Sequence, residues 1–224
     1  GFASPGNVTS VKVLAATQGG AGEGSGSFDV RGTLGKLQVT GSVTGSTIAA
    51  SDAINSIKVG VDVNQATIIA RGDATPTKRL DVAIGKVDVR GAVTGSQILA
   101  GYASDGTAVN ADASVGTVNV RGNWTTSDVV AGVQDEAEDG FGNGDDIKAP
   151  GFDDPNRIAQ IAKVIIGGTV SGSEADGDHF GFVAQRIVAL KSAAGSVALD
   201  KTANAQVFDL GSTQDVSVRE VPLA

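Results

Sequence analysis

The stretch IGKVDVRGAVTGSQILAG at residues 84–101 is followed thirteen residues later by VGTVNVRGNWTTSDVVAG at 115–132. A chain that repeats itself at this length must build a fold whose units act as templates for one another. Three more copies stand in the same register: LGKLQVTGSVTGSTIAAS from Leu34, INSIKVGVDVNQATIIAR from Ile54 and IAKVIIGGTVSGSEADGD from Ile161. The first position reads Leu34, Ile54, Ile84, Val115, Ile161; the fourth reads Leu37, Ile57, Val87, Val118, Val164; the sixth reads Val39, Val59, Val89, Val120, Ile166. The tenth is Val43, Val63, Val93, Trp124, Val170, after an eighth that is glycine in all copies but one, where Val61 stands. The copies start 20, 30, 31 and 46 residues apart, so the module is constant while its tail varies.

A two-residue period inside the module predicts strands. A unit too small to bury its own apolar face must stack on its neighbours, and parallel stacking at about 4.8 Å per level aligns each aliphatic column inside a tube. The expectation is an all-β chain, a right-handed parallel β-helix or solenoid of about six coils, with variable-length loops at one corner. A strict six-residue beat, which a left-handed hexapeptide helix requires, is absent. Residues 1–33 are expected to form an N-terminal strand or cap, or to continue an upstream coil. Residues 34–224 form the solenoid, with an acidic insertion at 133–157 and C-terminal strands or a cap. SGSFDVRG at 25–32 reads either as a third-face strand or as a degenerate first coil. AQRIVALKS, aligned with IAKVIIGGT, supplies a sixth coil, and VFDL and DVSVREV supply strands beyond it.

Thirty-two glycines, with seven Phe, one Tyr and one Trp, leave the apolar content to small aliphatics, which suits short strands and tight turns. Seventeen basic against twenty-five acidic residues give a net charge of −8, so nucleic acid is not an expected partner. Without Cys or Met there are no disulfides, no thiolate metal sites and no easily oxidised sulfur, which suits an extracellular or cell-surface setting. No apolar run reaches the roughly 20 residues of a membrane span. The chain begins at Gly1 with neither an initiator Met nor a basic leader, and reads as a mature fragment.

The module φ-G-x-φ-x-φ-x-G-x-φ-x-x-S, with φ an apolar residue, is followed by DEAEDGFGNGDD, RIAQIAKVIIGGTVSG and DHFGFVAQRI. From about residue 34 onward this combination resembles β-helical modules near the C-termini of very large secreted or surface proteins of planctomycete-type bacteria. The resemblance implies an extracellular, often calcium-associated structural module, and it carries over no catalytic residues.

The strongest local chemical signal is the acidic run inside the longest insertion: Asp135, Glu136, Glu138, Asp139, Asn143, Asp145, Asp146, Asp153 and Asp154. Hard oxygen ligands on a glycine-rich loop are what Ca²⁺ takes, so these nine are the candidate metal ligands, with a solvated acidic loop as the alternative. The spacing is not that of an EF-hand, since Phe141 and Pro150 fall on ligand positions when the count starts at Asp139. His179 is the only histidine and reads as structural, with Asp176 and Asp178 beside it as possible further calcium ligands. Asp88, Arg90, Asn119 and Arg121 alternate with inward valines and so face outward, either as a solvated charged face or as a place for a uronate or sulfate. Trp124 replaces valine in a core column and is expected to fill it, with sugar stacking as the alternative.

Two classes of function follow. One is a rigid extracellular structural module that associates head-to-tail with itself, or with the rest of a longer chain, into a filament or surface layer. The other is a β-helix that binds surface glycans or degrades polysaccharides. No two carboxylates outside the acidic loop share a column in adjacent coils, so the first reading, without catalytic residues, is preferred.

Overall fold

In the computed structural model of the chain, the described residues are 1–19, 26–173, 175, 177–200 and 205–222. Among them the structure is all-β, with no helix, and most strands lie in three largely parallel sheets. The first sheet runs in the order Val11–Val13, Leu34–Val39, Ile54–Val59, Asp81–Val89, Ala113–Val120, Gln160–Ile166 and Leu190–Ser192, every neighbour parallel. The second passes through Phe2–Ser4, Phe28–Val30, Thr47–Ala50, Thr67–Ala70, Gln97–Ala100, Asp128–Ala131, Phe180–Ala184 and Val216–Glu220. The third stacks two-residue strands from Thr17–Gln18 to Val170–Ser171. Each copy of the module thus contributes one strand to each sheet.

The register agrees with the aliphatic columns residue by residue. Leu34 pairs with Ile54, Ile54 with Ile84, Ile84 with Val115 and Val115 with Ile161. Val93 pairs with Trp124 and Trp124 with Val170. Alternation puts these side chains on one side of each strand, where they make one continuous core. Trp124 is fully buried in it, packed on Phe182 at 5.3 Å between ring centroids, and its indole N–H donates to the Ser127 carbonyl.

Backbone contact between levels explains the conserved spacing of glycine within the module. A Cβ on Gly116 would lie 2.2 Å from the Gly85 carbonyl oxygen, and one on Gly85 would lie 2.5 Å from that of Asn55. At the turn between the third and second sheets the chain is left-handed, with Gly45 and Gly95 at φ +55° and Gln65 and Thr126 forced into the same region. Val61, in place of the corner glycine, keeps the corner hydrogen bonds to Gly41 and from Gly91 and exposes its side chain instead.

Two sequence alignments shift. VTSVKV is a further, weaker copy: Val8 bridges to Leu34, and Val11 and Val13 pair with Leu37 and Val39. Phe28–Val30 then belongs to the second sheet, the third-face alternative for SGSFDVRG. At the other end Ile187 pairs with Ile161 and Leu190 with Val164, three residues later than the alignment of AQRIVALKS places them. The reason is that Ala184 is still in the second sheet, beside Ala131.

The insertions at 71–80, 101–112 and 132–159 all leave between the second and first sheets, whereas the residues between Ser171 and Phe180 leave at a different corner. The expectation of a single loop corner therefore holds for three insertions and fails for the fourth. The longer insertions do not float in solvent. They cover the outer face of the second sheet, where Ile69, Leu99, Val130 and Val183 meet Tyr102, Val133, Phe141 and Ala149 in a second apolar cluster.

Polar contacts tie the three insertions together. The buried Asn110 amide donates to the Arg71 carbonyl and to Asp81, and the Tyr102 hydroxyl donates to the Val133 carbonyl at 2.6 Å. Arg157 donates to the Pro76 carbonyl at 2.6 Å and stands 3.8 Å from the buried Asp112, whose carboxylate also accepts the Asp154 N–H. Arg157→Ala is expected to lower stability by about 2 kcal/mol, because it removes a charge-assisted bond and leaves Asp112 without its cation. Chemical denaturation of the variant checks this.

Candidate metal centre in the acidic insertion

The acidic run forms a hairpin, with Val133–Asp135 antiparallel to Asp146–Lys148. At its root Asp135 organises the turn: its carboxylate accepts N–H groups from Ala137, Glu138 and Gly140 at 3.1, 2.9 and 2.8 Å. Glu138 and Gly140 are left-handed, at φ +60° and +109°, which folds the turn back on Asp135. Two contacts anchor the loop to the body. Phe141 is buried in the second apolar cluster, and the Gly142 carbonyl accepts the Ser217 hydroxyl at 2.6 Å.

This folding brings Asp135, Asp139 and Asp145 together, each offering a carboxylate oxygen within 4.8 Å of the others. Three like charges at that separation repel, and a hard cation between them would relieve the repulsion. Asp139 also accepts the Asn143 side-chain amide at 2.6 Å. Asp145 has a buried carboxylate oxygen with no hydrogen-bond partner, an arrangement suited to a cation ligand.

The other candidates are not part of the group. Glu136 and Glu138 are exposed. Asp153 pairs with Lys148, while Asp154 is near Arg157 and accepts from Asn156. The Asn156 hydrogen bonds hold the Asp154 carboxyl below the usual carboxylate range. Asp146 faces the protein interior, accepting the Gly142 N–H at 2.7 Å with one oxygen and leaving the other unpartnered. His179 serves through its backbone: its N–H donates to the Asp139 carbonyl, and a Cβ on Gly140 would meet its carbonyl oxygen at 2.1 Å. Asp178 accepts the Ser173 hydroxyl and is not in the carboxylate group; Asp176 lies outside the described residues.

A further buried carboxylate, Asp128, escaped the sequence reading. It occupies the second-sheet column that reads Thr47, Thr67, Gln97 above it, and it accepts the Gly181 N–H at 2.9 Å and the Gln97 amide at 3.3 Å. Burial pushes the Asp128 and Asp146 carboxyls each up to about 7, against the lowering effect of their hydrogen bonds. Burial, with Asp146, Asp135 and Asp128 nearby, also raises the Tyr102 hydroxyl. A carboxylate replacing Thr and Gln in one column is the signal that marks Asp128, and it becomes visible once the columns are written out.

No protein-family model, curated protein or solved structure matches this chain. No helix of the described residues is long and apolar enough to cross a membrane.

Proposed function

We propose that the chain is a rigid right-handed β-solenoid module of an extracellular structural or surface protein, non-catalytic, with Ca²⁺ held by its acidic insertion. The observation that carries this reading is the pairing of the aliphatic columns from copy to copy through the parallel sheets, a construction that gives length and stiffness. The absence of sulfur and the resemblance to modules of large surface proteins agree with it.

The two ends differ. Two sheets finish at the C-terminal end in reversed strands, Val207–Leu210 and Gly195–Ser196. At the N-terminal end Phe2–Ser4, Val11–Val13 and Thr17–Gln18 are the outermost strands among the described residues, with backbone edges that accept a further level. Association with another copy, or with more of a longer chain, is therefore assigned to the N-terminal edges. Light scattering and electron microscopy test self-association. A monodisperse monomer with no rods at high concentration removes it.

Asp135, Asp139 and Asp145 would hold the cation, with water or backbone oxygens completing the six to eight ligands that Ca²⁺ takes. Because a site built by a folded hairpin binds only the native state, millimolar Ca²⁺ is expected to raise the melting temperature and EDTA to lower it. Asp139→Asn combined with Asp145→Asn should abolish the response. A melting temperature indifferent to Ca²⁺, with no heat of binding in calorimetry, would refute the metal assignment.

A further inference from the structure

The outer face of the first sheet carries a charge pattern opposite to that of the whole chain. Its third-position column reads Lys36, Ser56, Lys86, Thr117, Lys163 through consecutive paired strands. Lysine thus recurs at every second level, about 9.6 Å apart, with a small hydroxylated residue between. The fifth-position column adds Lys12, Lys58 and Lys191, and Arg90 and Arg121 stack on adjacent levels just past the strand ends. Three adjoining columns therefore hold eight of the chain's seventeen Lys and Arg residues, against one of its twenty-five carboxylates, Asp88. Asp88 is occupied by the Asn119 amide at 3.1 Å and by Lys86 at 3.7 Å.

The lysines of the first column are exposed, and a shallow depression of about 100 Å³ is lined by Thr40, Lys58, Gly60 and Arg90. We infer that this face binds an anionic polysaccharide laid along the stack of strands, of the class that carries one carboxylate or sulfate on alternate sugars. The two-level spacing of the lysines matches the length of an extended disaccharide, so one anion meets each ammonium. Ser56, Thr117, Gln38 and Asn119 present hydroxyls and amides between the charges, as sugar hydroxyls require. Nucleic acid fits the face less well. No aromatic side chain stands in these columns to stack on a base, and the acidic remainder of the molecule repels a duplex.

The test is calorimetric titration of the full chain in EDTA, so that the cation site contributes nothing, with hyaluronate fragments as the alternately charged probe. Dextran, polygalacturonate and a DNA duplex are the comparisons. Hyaluronate is expected to bind with an affinity that falls as salt rises, dextran not at all, and polygalacturonate and DNA more weakly. The triple variant Lys36→Gln, Lys86→Gln, Lys163→Gln is expected to lose about tenfold in affinity with an unchanged melting temperature, whereas Asp88→Asn should not weaken binding. Undiminished binding by the triple variant, DNA bound as tightly as hyaluronate, or no binding of hyaluronate would each overturn the proposal. None of these outcomes bears on the response to Ca²⁺ or on the solenoid itself.

Discussion

Val89→Asp is expected to abolish folding at room temperature. Val89 is completely buried, and the levels on either side present Val59 and Val120 to it, with Val39 and Ile166 beyond. Nothing in that column can accept or donate a hydrogen bond to a carboxylate. An unpaired buried charge costs several kcal/mol, a large part of the 5–15 kcal/mol that a domain has in total. Because each level is a template for the next, the disruption reaches both neighbours. The adjacent Asp88→Ala should cost less than about 1 kcal/mol, since it removes only partly exposed contacts with Lys86 and Asn119. Circular dichroism melts of the two variants decide the matter: a Val89→Asp chain with an unaltered melting temperature would mean that the column is not interior.

Acidification from pH 8 to pH 5, in EDTA, is expected to stabilise the protein. The Asp128 carboxyl titrates at about 7 in the folded chain because it is buried, against its ordinary value of 3.8. A group whose folded value is raised in this way binds its proton more tightly in the native state. Its contribution is therefore fully present below about pH 4 and is lost as pH rises through 7. At full effect the difference is worth about 4 kcal/mol. Asp146, raised for the same reason, acts in the same direction. Asp128→Asn keeps an acceptor for the Gly181 N–H and removes the titration, so it should raise the melting temperature at pH 8 and raise it less at pH 5, where the carboxyl of the unfolded chain is still ionised and about 2 kcal/mol of the difference remains. A melting temperature that falls on acidification over this range, or an equal effect of Asp128→Asn at both pH values, would count against a neutral Asp128.

Much of the architecture was legible because its cause is local and repeated. An aliphatic residue at positions one, four and six of every copy can be buried together only if the copies align, so writing the repeat out already states the pairing of Leu34 with Ile54 and of Val115 with Ile161. The copy at Val8, Val11 and Val13 was missed because it lacks both glycines and has Thr17 where the others have valine or tryptophan. The register near Ile187 was missed because the preceding Ala184 is apolar too, and composition does not say on which sheet an apolar residue lies.

The acidic insertion shows the boundary most clearly. Its residue types by themselves point to hard-cation chemistry, since carboxylates and glycines on a loop supply oxygens and tight turns. Which of them act together depends on where the chain turns. Asp135, Asp139 and Asp145 converge because three backbone N–H groups fold the loop onto Asp135 and Phe141 pins it to the sheet, while Asp153 and Asp154 are drawn away to Lys148 and Arg157. The sequence alone determined the strands, their stacking and their inward columns, because a period-two pattern repeated from copy to copy leaves one way to bury the apolar side chains. The tertiary structure alone decided that the insertions pack over the second sheet and that Asp128 and Asp146 lose their water. Those outcomes depend on distances between residues far apart in the chain, which no local pattern encodes.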